Sequence, residues 1–167
     1  VVLELLDAEF LSLNGRPQES ETIYRELLAG NDLKPIQAAI VANNLAFFLA
    51  KPGTAADARK FIDSAIEQLG PLPDLLDTRG LVRLAEGDKQ GAVEDLRDAV
   101  LSPSSMKYLH LATAELAAGD RAAAGAALEK ARKIGLGQTR LVQQDAERLE
   151  NLEASLGQTA AVNLSRE

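Results

Sequence analysis

Few side chains in this sequence could do chemistry, and they are scattered. His110 is the only histidine and there is no cysteine, which excludes disulfides, thiolate metal sites and cysteine nucleophiles. A lone imidazole with no second ligand or nucleophile reads as a groove-lining or half-buried residue rather than a catalyst. Asp74 with Asp77, and Glu94 with Asp95 and Asp98, carry enough oxygens for a divalent cation. They fall on helix faces, whereas a calcium loop alternates its ligands along a turn. They read as solvated faces. Gly135-Leu136-Gly137 has two glycines of a dinucleotide loop, but Arg140 stands where the third belongs and no strand precedes it. It reads as a helix stop. There is no glycine–lysine phosphate loop, Ser-centred elbow or His-Glu-His zinc spacing. Asn163-Leu164-Ser165 matches a glycosylation acceptor, a triplet common by chance. We expect no enzyme, no metal and no cofactor.

Asn43 and Asn44 are the residues that ask for a reason. Two adjacent asparagines inside a helix carry a propensity cost. Either they hydrogen-bond a partner, or one is solvated and the other bonds a neighbouring helix.

The bulk composition narrows the partner class. The 167 residues are 46% hydrophobic and 26% charged, with only 4% aromatic, which suits one soluble helical domain. A net charge of −7 opposes nucleic-acid binding and docking on an anionic membrane. It is weakly suited to basic or neutral peptides. The longest uncharged stretch, Pro35 to Ala50, is too short to span a bilayer. No signal peptide is visible, but Val1 is not an initiator Met, so a targeting segment can have preceded it. The compartment stays open, with the cytoplasm as default.

The elements that position these residues recur. Gly15, Gly53, Gly87 and Gly119 each follow a small residue by seven positions and precede another by five. The glycines are 38, 34 and 32 residues apart. Self-similarity near 34 residues, with helical patterning on both sides of the glycine, is the signature of stacked helix–turn–helix repeats. Pro73 opens a helix that Gly87 ends, and Asp88 caps the next. Ser102 and Pro103, Gly119 and Asp120 repeat that order. Pro35 opens a helix to Ala50, and Thr54 with Asp57 suggests a capping box. The first pair is Val1–Asn14 and Pro17–Leu28, leaving through Gly30, Asn31 and Asp32.

Over residues 1–136 the chain resembles the tetratricopeptide repeat family. The family's small positions, where paired helices cross, hold Ala8, Ser20 and Leu27; Ala46, Ala58 and Ala65; Gly80, Ala92 and Ala99; and Ala112, Ala124 and Ala131. The large position between the last two of each set holds Tyr24, Ile62, Leu96 and Leu128. The family's aromatic in the first helix matches Leu11 and Leu49 but becomes Arg83 and Glu115. The resemblance implies an all-α solenoid of about four repeats, approximately 1–34, 35–72, 73–102 and 103–136. Residues 137–157 would form a capping helix and 158–167 a tail. In that helix Val142, Ala146, Leu149, Leu152 and Leu156 line up on one face, with Gln144 and Arg148 on the other.

The resemblance also implies where binding occurs, because the first helix of each repeat lines a concave groove. Carried over, the groove residues are Asn43, Asn44, Phe47, Lys51, Asp77, Thr78, Leu81, His110 and Thr113, with Leu5, Glu9, Ser12, Asp74, Met106 and Leu109 around them. Some family members hold a partner's C-terminal carboxylate with a Lys/Asn/Asn/Lys/Arg set. Here Asn44 matches one position, but Asp74, Thr78, Val2 and Leu6 occupy others, so that mode is not expected. The expected function is a non-catalytic scaffold binding a peptide or helical segment of another protein. The alternative is a self-assembly element that pairs copies through the terminal repeat and the tail Gly157–Glu167, since the apolar Val1, Val2, Leu3, Leu5 and Leu6 suggest a missing neighbour: upstream repeats or, weakly, another copy.

Overall fold

The computed structural model describes residues 2–30 and 32–164, with side chains to 157. Asn31, Val1 and the acceptor residue Ser165 lie outside it. The described residues are all-α, with no strand among them. Eight helices come first: α1 (Val2–Leu13), α2 (Pro17–Ala29), α3 (Pro35–Leu49), α4 (Ala55–Leu69), α5 (Pro73–Glu86), α6 (Lys89–Ala99), α7 (Ser105–Ala118) and α8 (Arg121–Lys133). A 3-10 turn (Leu136–Gln138) leads to α9 (Gln143–Leu164).

The turns follow from their residues. Gly87 and Gly119 adopt φ of 87° and 95°, left-handed backbone that a side chain would strain. Asp88 then accepts from the Gly91 N–H at 2.9 Å, and Asp120 from Ala123 at 2.8 Å, capping α6 and α8. Two expected starts differ. The Thr54 hydroxyl donates backwards to the Leu49 carbonyl at 2.8 Å, so it finishes α3 instead of capping α4. Helix α7 starts at Ser105, because the Ser104 hydroxyl accepts from the Lys107 N–H.

From α1 to α8 each helix packs on the next, and the crossings use the small residues. All the small positions except Leu27 are buried, Leu27 being half-buried, and Tyr24, Ile62, Leu96 and Leu128 fill the spaces between them. Within one pair, Arg79 meets Asp95 while Arg83 meets the Gly91 carbonyl, so the partner helices run antiparallel. The charged replacements in the first-helix aromatic position have a structural use. Arg83 also pairs with buried Asp95 at 3.3 Å, and buried Glu115 with Arg97 at 2.8 Å, joining α5 to α6 and α7 to α6. Ion pairs stand there where an aromatic ring was expected.

Helix α3 also packs on α5, and α5 on α7, whereas no even-numbered helix packs comparably on the next even one. The odd-numbered helices thus form a closer layer. The apolar interior divides into one cluster centred on α1–α5 and another on α6–α8.

The C-terminal segment departs from expectation. Gly135 (φ 104°) and the 3-10 turn delay helix formation to Gln143. From there α9 continues to Leu164, through Gly157 and into the expected tail, because one glycine costs only about 1 kcal/mol and no proline follows. Its buried face also differs: Ala146 is exposed and Asp145 is buried.

Candidate functional site

The face made by α3, α5 and α7 is partly covered by the chain's own α9. The rear of α9 is apolar, with Leu149, Leu152 and Leu156 packed on the α6–α8 cluster. Arg132–Glu153 at 2.7 Å and Arg121 to the Ser155 carbonyl at 2.6 Å tie it to α8. The front makes polar contacts across the face. Gln144 donates to the Phe48 carbonyl at 3.0 Å and Arg148 lies 5.7 Å over the Phe47 ring, while Arg140, in the segment before α9, donates to Asn14 Oδ1 at 2.9 Å.

His110 is at the centre of these contacts. The sequence placed it in the groove or half-buried; it is 2% exposed, because α9 lies over it. Its Nδ1 sits 2.9 Å from both Asp77 oxygens and its Nε2 3.1 Å from Asp145 Oδ1. Two carboxylates need two donors, and only the protonated ring supplies both. Burial opposes that charge. The carboxylate of Asp77 and the hydrogen bonds to Asp145 and Asp77 outweigh burial and raise the pKa to about 9. Burial likewise works against ionised Asp145, but His110 and Arg148 hold its carboxyl below the usual range.

Ahead of α9 the face stays open. Asn43, Asn44, Phe47, Asp77 and Thr78 line one cavity of about 340 Å³, closed by Glu9 and Ser12 of α1, Tyr24 of α2 and Val142 before α9. Its floor is a relay: Asn43 donates to Asn44 and Asn44 to the Tyr24 hydroxyl, each at 3.4 Å. Asn43 Oδ1 and Ser12 Oγ are buried and have no partner. The other expected site residues lie elsewhere. Lys51 and Leu81 border a separate hollow of about 370 Å³ with Gln144 and Arg148. Thr113 returns its hydroxyl to the Leu109 carbonyl of its own helix. One continuous groove was expected; α9 divides it.

Among the candidate cation ligands, Asp95 is held by Arg79 and Arg83, Asp74 by Lys107, and Asp77 by His110. Sequence reasoning missed Asp145, Gln144 and Arg148, placing the last two on the solvent side. A signal was present: Val142, Asp145, Leu149, Leu152 and Leu156 follow alternating three- and four-residue steps. A carboxylate inside an apolar stripe requires a buried partner. No described helix is long and apolar enough to cross a membrane. No protein-family model matches the chain, and no curated protein matches it.

Proposed function

We propose that the chain is a tetratricopeptide-type solenoid acting as a non-catalytic interaction module, which binds a peptide or helical segment of another protein. The carrying observation is α9 itself: the face of odd-numbered helices already holds a helix through side-chain contacts. The 340 Å³ cavity beside it, with apolar Phe47 and Phe48 and the Asn43–Asn44 relay, has the size and mixed lining of a recognition pocket. The only imidazole has both nitrogens engaged and is out of reach of solvent, which favours binding over catalysis.

The test uses a peptide selected by display against the full chain. Asn44→Ala combined with Phe47→Ala should leave the helical circular dichroism unchanged and weaken that peptide by tenfold or more, as expected for an anchor ring. Unchanged affinity would move the site elsewhere.

A specific observation also favours the self-assembly reading. Leu3, Leu6 and Phe10 lie on one face of α1 and are 76%, 57% and 63% exposed. If that stripe docks a second copy, the mass seen by light scattering rises with concentration, and Leu6→Asp with Phe10→Asp abolishes the rise. A monomer at every concentration removes this reading.

A further inference from the structure

The first hairpin presents a helix face that the other three hairpins cover. Ala8, Ala46, Gly80 and Ala112 are equivalent, so Leu3 corresponds to Val41, Leu75 and Lys107, and Phe10 to Phe48, Val82 and Ala114. All six of those residues are buried. The even-numbered helix in front covers this side: α2, α4 and α6 each pack on the odd-numbered helix that follows. Phe48 lies against Tyr24 of α2, with ring centres 5.8 Å apart, and Leu75 and Val82 share an apolar cluster with Ile62 of α4. On α1 the same positions hold large apolar side chains that are exposed, with exposed Leu6 between them. A solenoid keeps a terminal repeat in water with a polar outer face; α1 turns an apolar one outward.

Charge decides what covers that face. Residues 2–30 hold six carboxylates and two arginines, and Arg16 and Arg25 already pair with Glu19 and Glu21. Asp7 and Glu26 are exposed and have no ion pair among the described residues. Both border a hollow of about 360 Å³ at the α1–α2 edge, lined also by Ile23, Leu27 and Leu33. A second copy fits this face poorly. Leu3 and Phe10 lie symmetrically about Leu6 and Asp7, so two-fold antiparallel pairing brings the two Asp7 side chains together and sets one acidic hairpin against another. Head-to-tail stacking lacks an apolar counterpart. Where α6 has buried Val93, α8 has Gly125, and Arg97 of α6 is matched by exposed Glu129. That end is tied to α9 through Arg132 and Arg121.

We propose that the outward face of α1 is a docking surface for a basic amphipathic helix of a partner protein, which stacks on α1 as α2 stacks on α3. Its apolar residues, spaced about one turn apart, cover Leu3, Leu6 and Phe10, and its lysines or arginines answer Asp7 and Glu26. The surface is separate from the cavity of Asn43, Asn44 and Phe47 and does not depend on peptide binding there. It gives the stripe of the self-assembly reading a different occupant.

The probe is a blocked helical peptide of leucine, alanine and lysine, about five turns long, with leucines on one face and lysines flanking them. One control replaces every lysine by glutamate. The other keeps the composition and scatters the leucines around the helix. Binding to the full chain is followed by fluorescence anisotropy and by the NMR amide signals of residues 2–13. The basic peptide should bind saturably, at least tenfold tighter than either control, with its largest shifts on α1. Leu6→Asp with Phe10→Asp should weaken it tenfold or more, although the change adds negative charge. Circular dichroism should stay the same, because both side chains are exposed. Asp7→Asn with Glu26→Gln should weaken it severalfold and flatten its salt dependence. Asn44→Ala with Phe47→Ala, which tests the groove, should leave this peptide unaffected. Equal binding of either control, no saturable shift, shifts centred on the groove, or indifference to the Leu6 and Phe10 changes overturns the proposal. So does a mass that rises with concentration in the parent chain alone and not in Leu6→Asp with Phe10→Asp, since a second copy then covers the stripe.

Discussion

Raising the pH from 6 to 9.5 is expected to release the front of α9, and His110→Ala to release it at every pH. His110 is enclosed by Asp77 from α5 and by Asp145 from α9, with Arg148 on the far side of Asp145. Phe47 of α3 stands 6.3 Å away, and the Asp74–Lys107 pair joins α5 and α7 nearby. With the ring protonated, charges of alternating sign face one another. With the ring neutral or absent, buried Asp145 and the largely buried Asp77 lose the positive charge between them. Removing the central member of such a buried set costs about 3–5 kcal/mol, because the remaining charges lose their compensation. That loss falls on α9 first, since the hairpins α1–α8 pack on one another without it.

The sign of the pH effect follows from the direction of the shift. The folded-state pKa of His110 is raised, from 6.5 to about 9. The stabilisation is therefore complete below pH 6.5 and is lost as pH rises through about 9, amounting to about 3 kcal/mol. Asp145, held below its ordinary value of 3.8, gives the opposite limb: its stabilisation is present above pH 3.8 and disappears in stronger acid. Both limbs describe one ion pair and are not additive. The measurement is hydrogen exchange of amides 143–152, corrected for intrinsic rates, beside an NMR titration of the His110 ring. Protection should fall between pH 7 and 9.5 in the parent chain and be low throughout in His110→Ala. A ring that titrates near 6.5 would sink this account.

The hairpins were legible in the sequence because their determinants are local. Gly87 with Asp88 and Gly119 with Asp120 state a turn within two residues, and the residues that cap and end these helices are contiguous. Thr54 misled because its hydroxyl had two backbone destinations, and it took the Leu49 carbonyl behind it. The placement of α9 was harder to read. It depends on Asp145 finding a histidine 35 positions earlier and Gln144 a carbonyl 96 positions earlier, pairings that no period of 34 residues encodes. The site inherits this asymmetry. Asn43, Asn44 and Phe47 lie on one helix, and the family resemblance was enough to group them. The partition of the groove, and the burial of His110, required knowing where the last helix lies. Only the misfit of one carboxylate in an apolar stripe pointed to it.

Gly80→Val is expected to destabilise the protein by about 3 kcal/mol, and Gly80→Ala by up to about 2 kcal/mol. In the other three hairpins the equivalent position carries a methyl group, as Ala8, Ala46 and Ala112, all fully buried. A Cβ built on Gly80 would lie 2.5 Å from Leu96 Cγ and 3.0 and 3.1 Å from its two methyls. Leu96 has no exposed surface and no room to retreat. Helix α5 therefore crosses α6 closer than a methyl allows, and glycine is required by space rather than by backbone conformation. The two effects of alanine oppose each other: helix propensity favours it by about 1 kcal/mol, and the overlap costs about 1–3 kcal/mol. The overlap wins because Leu96 joins the α6–α8 cluster and cannot shift alone. A double-mutant cycle isolates the cause. Leu96→Ala alone should cost about 2–5 kcal/mol through the cavity it leaves. Combined with Gly80→Val, the total should fall short of the sum by about 0.5–3 kcal/mol, because the new side chain enters that cavity. Urea denaturation of the four proteins gives the coupling. A more stable Gly80→Ala, or strictly additive losses, would mean that the helices part easily at this crossing and that close approach does not hold α5 against α6.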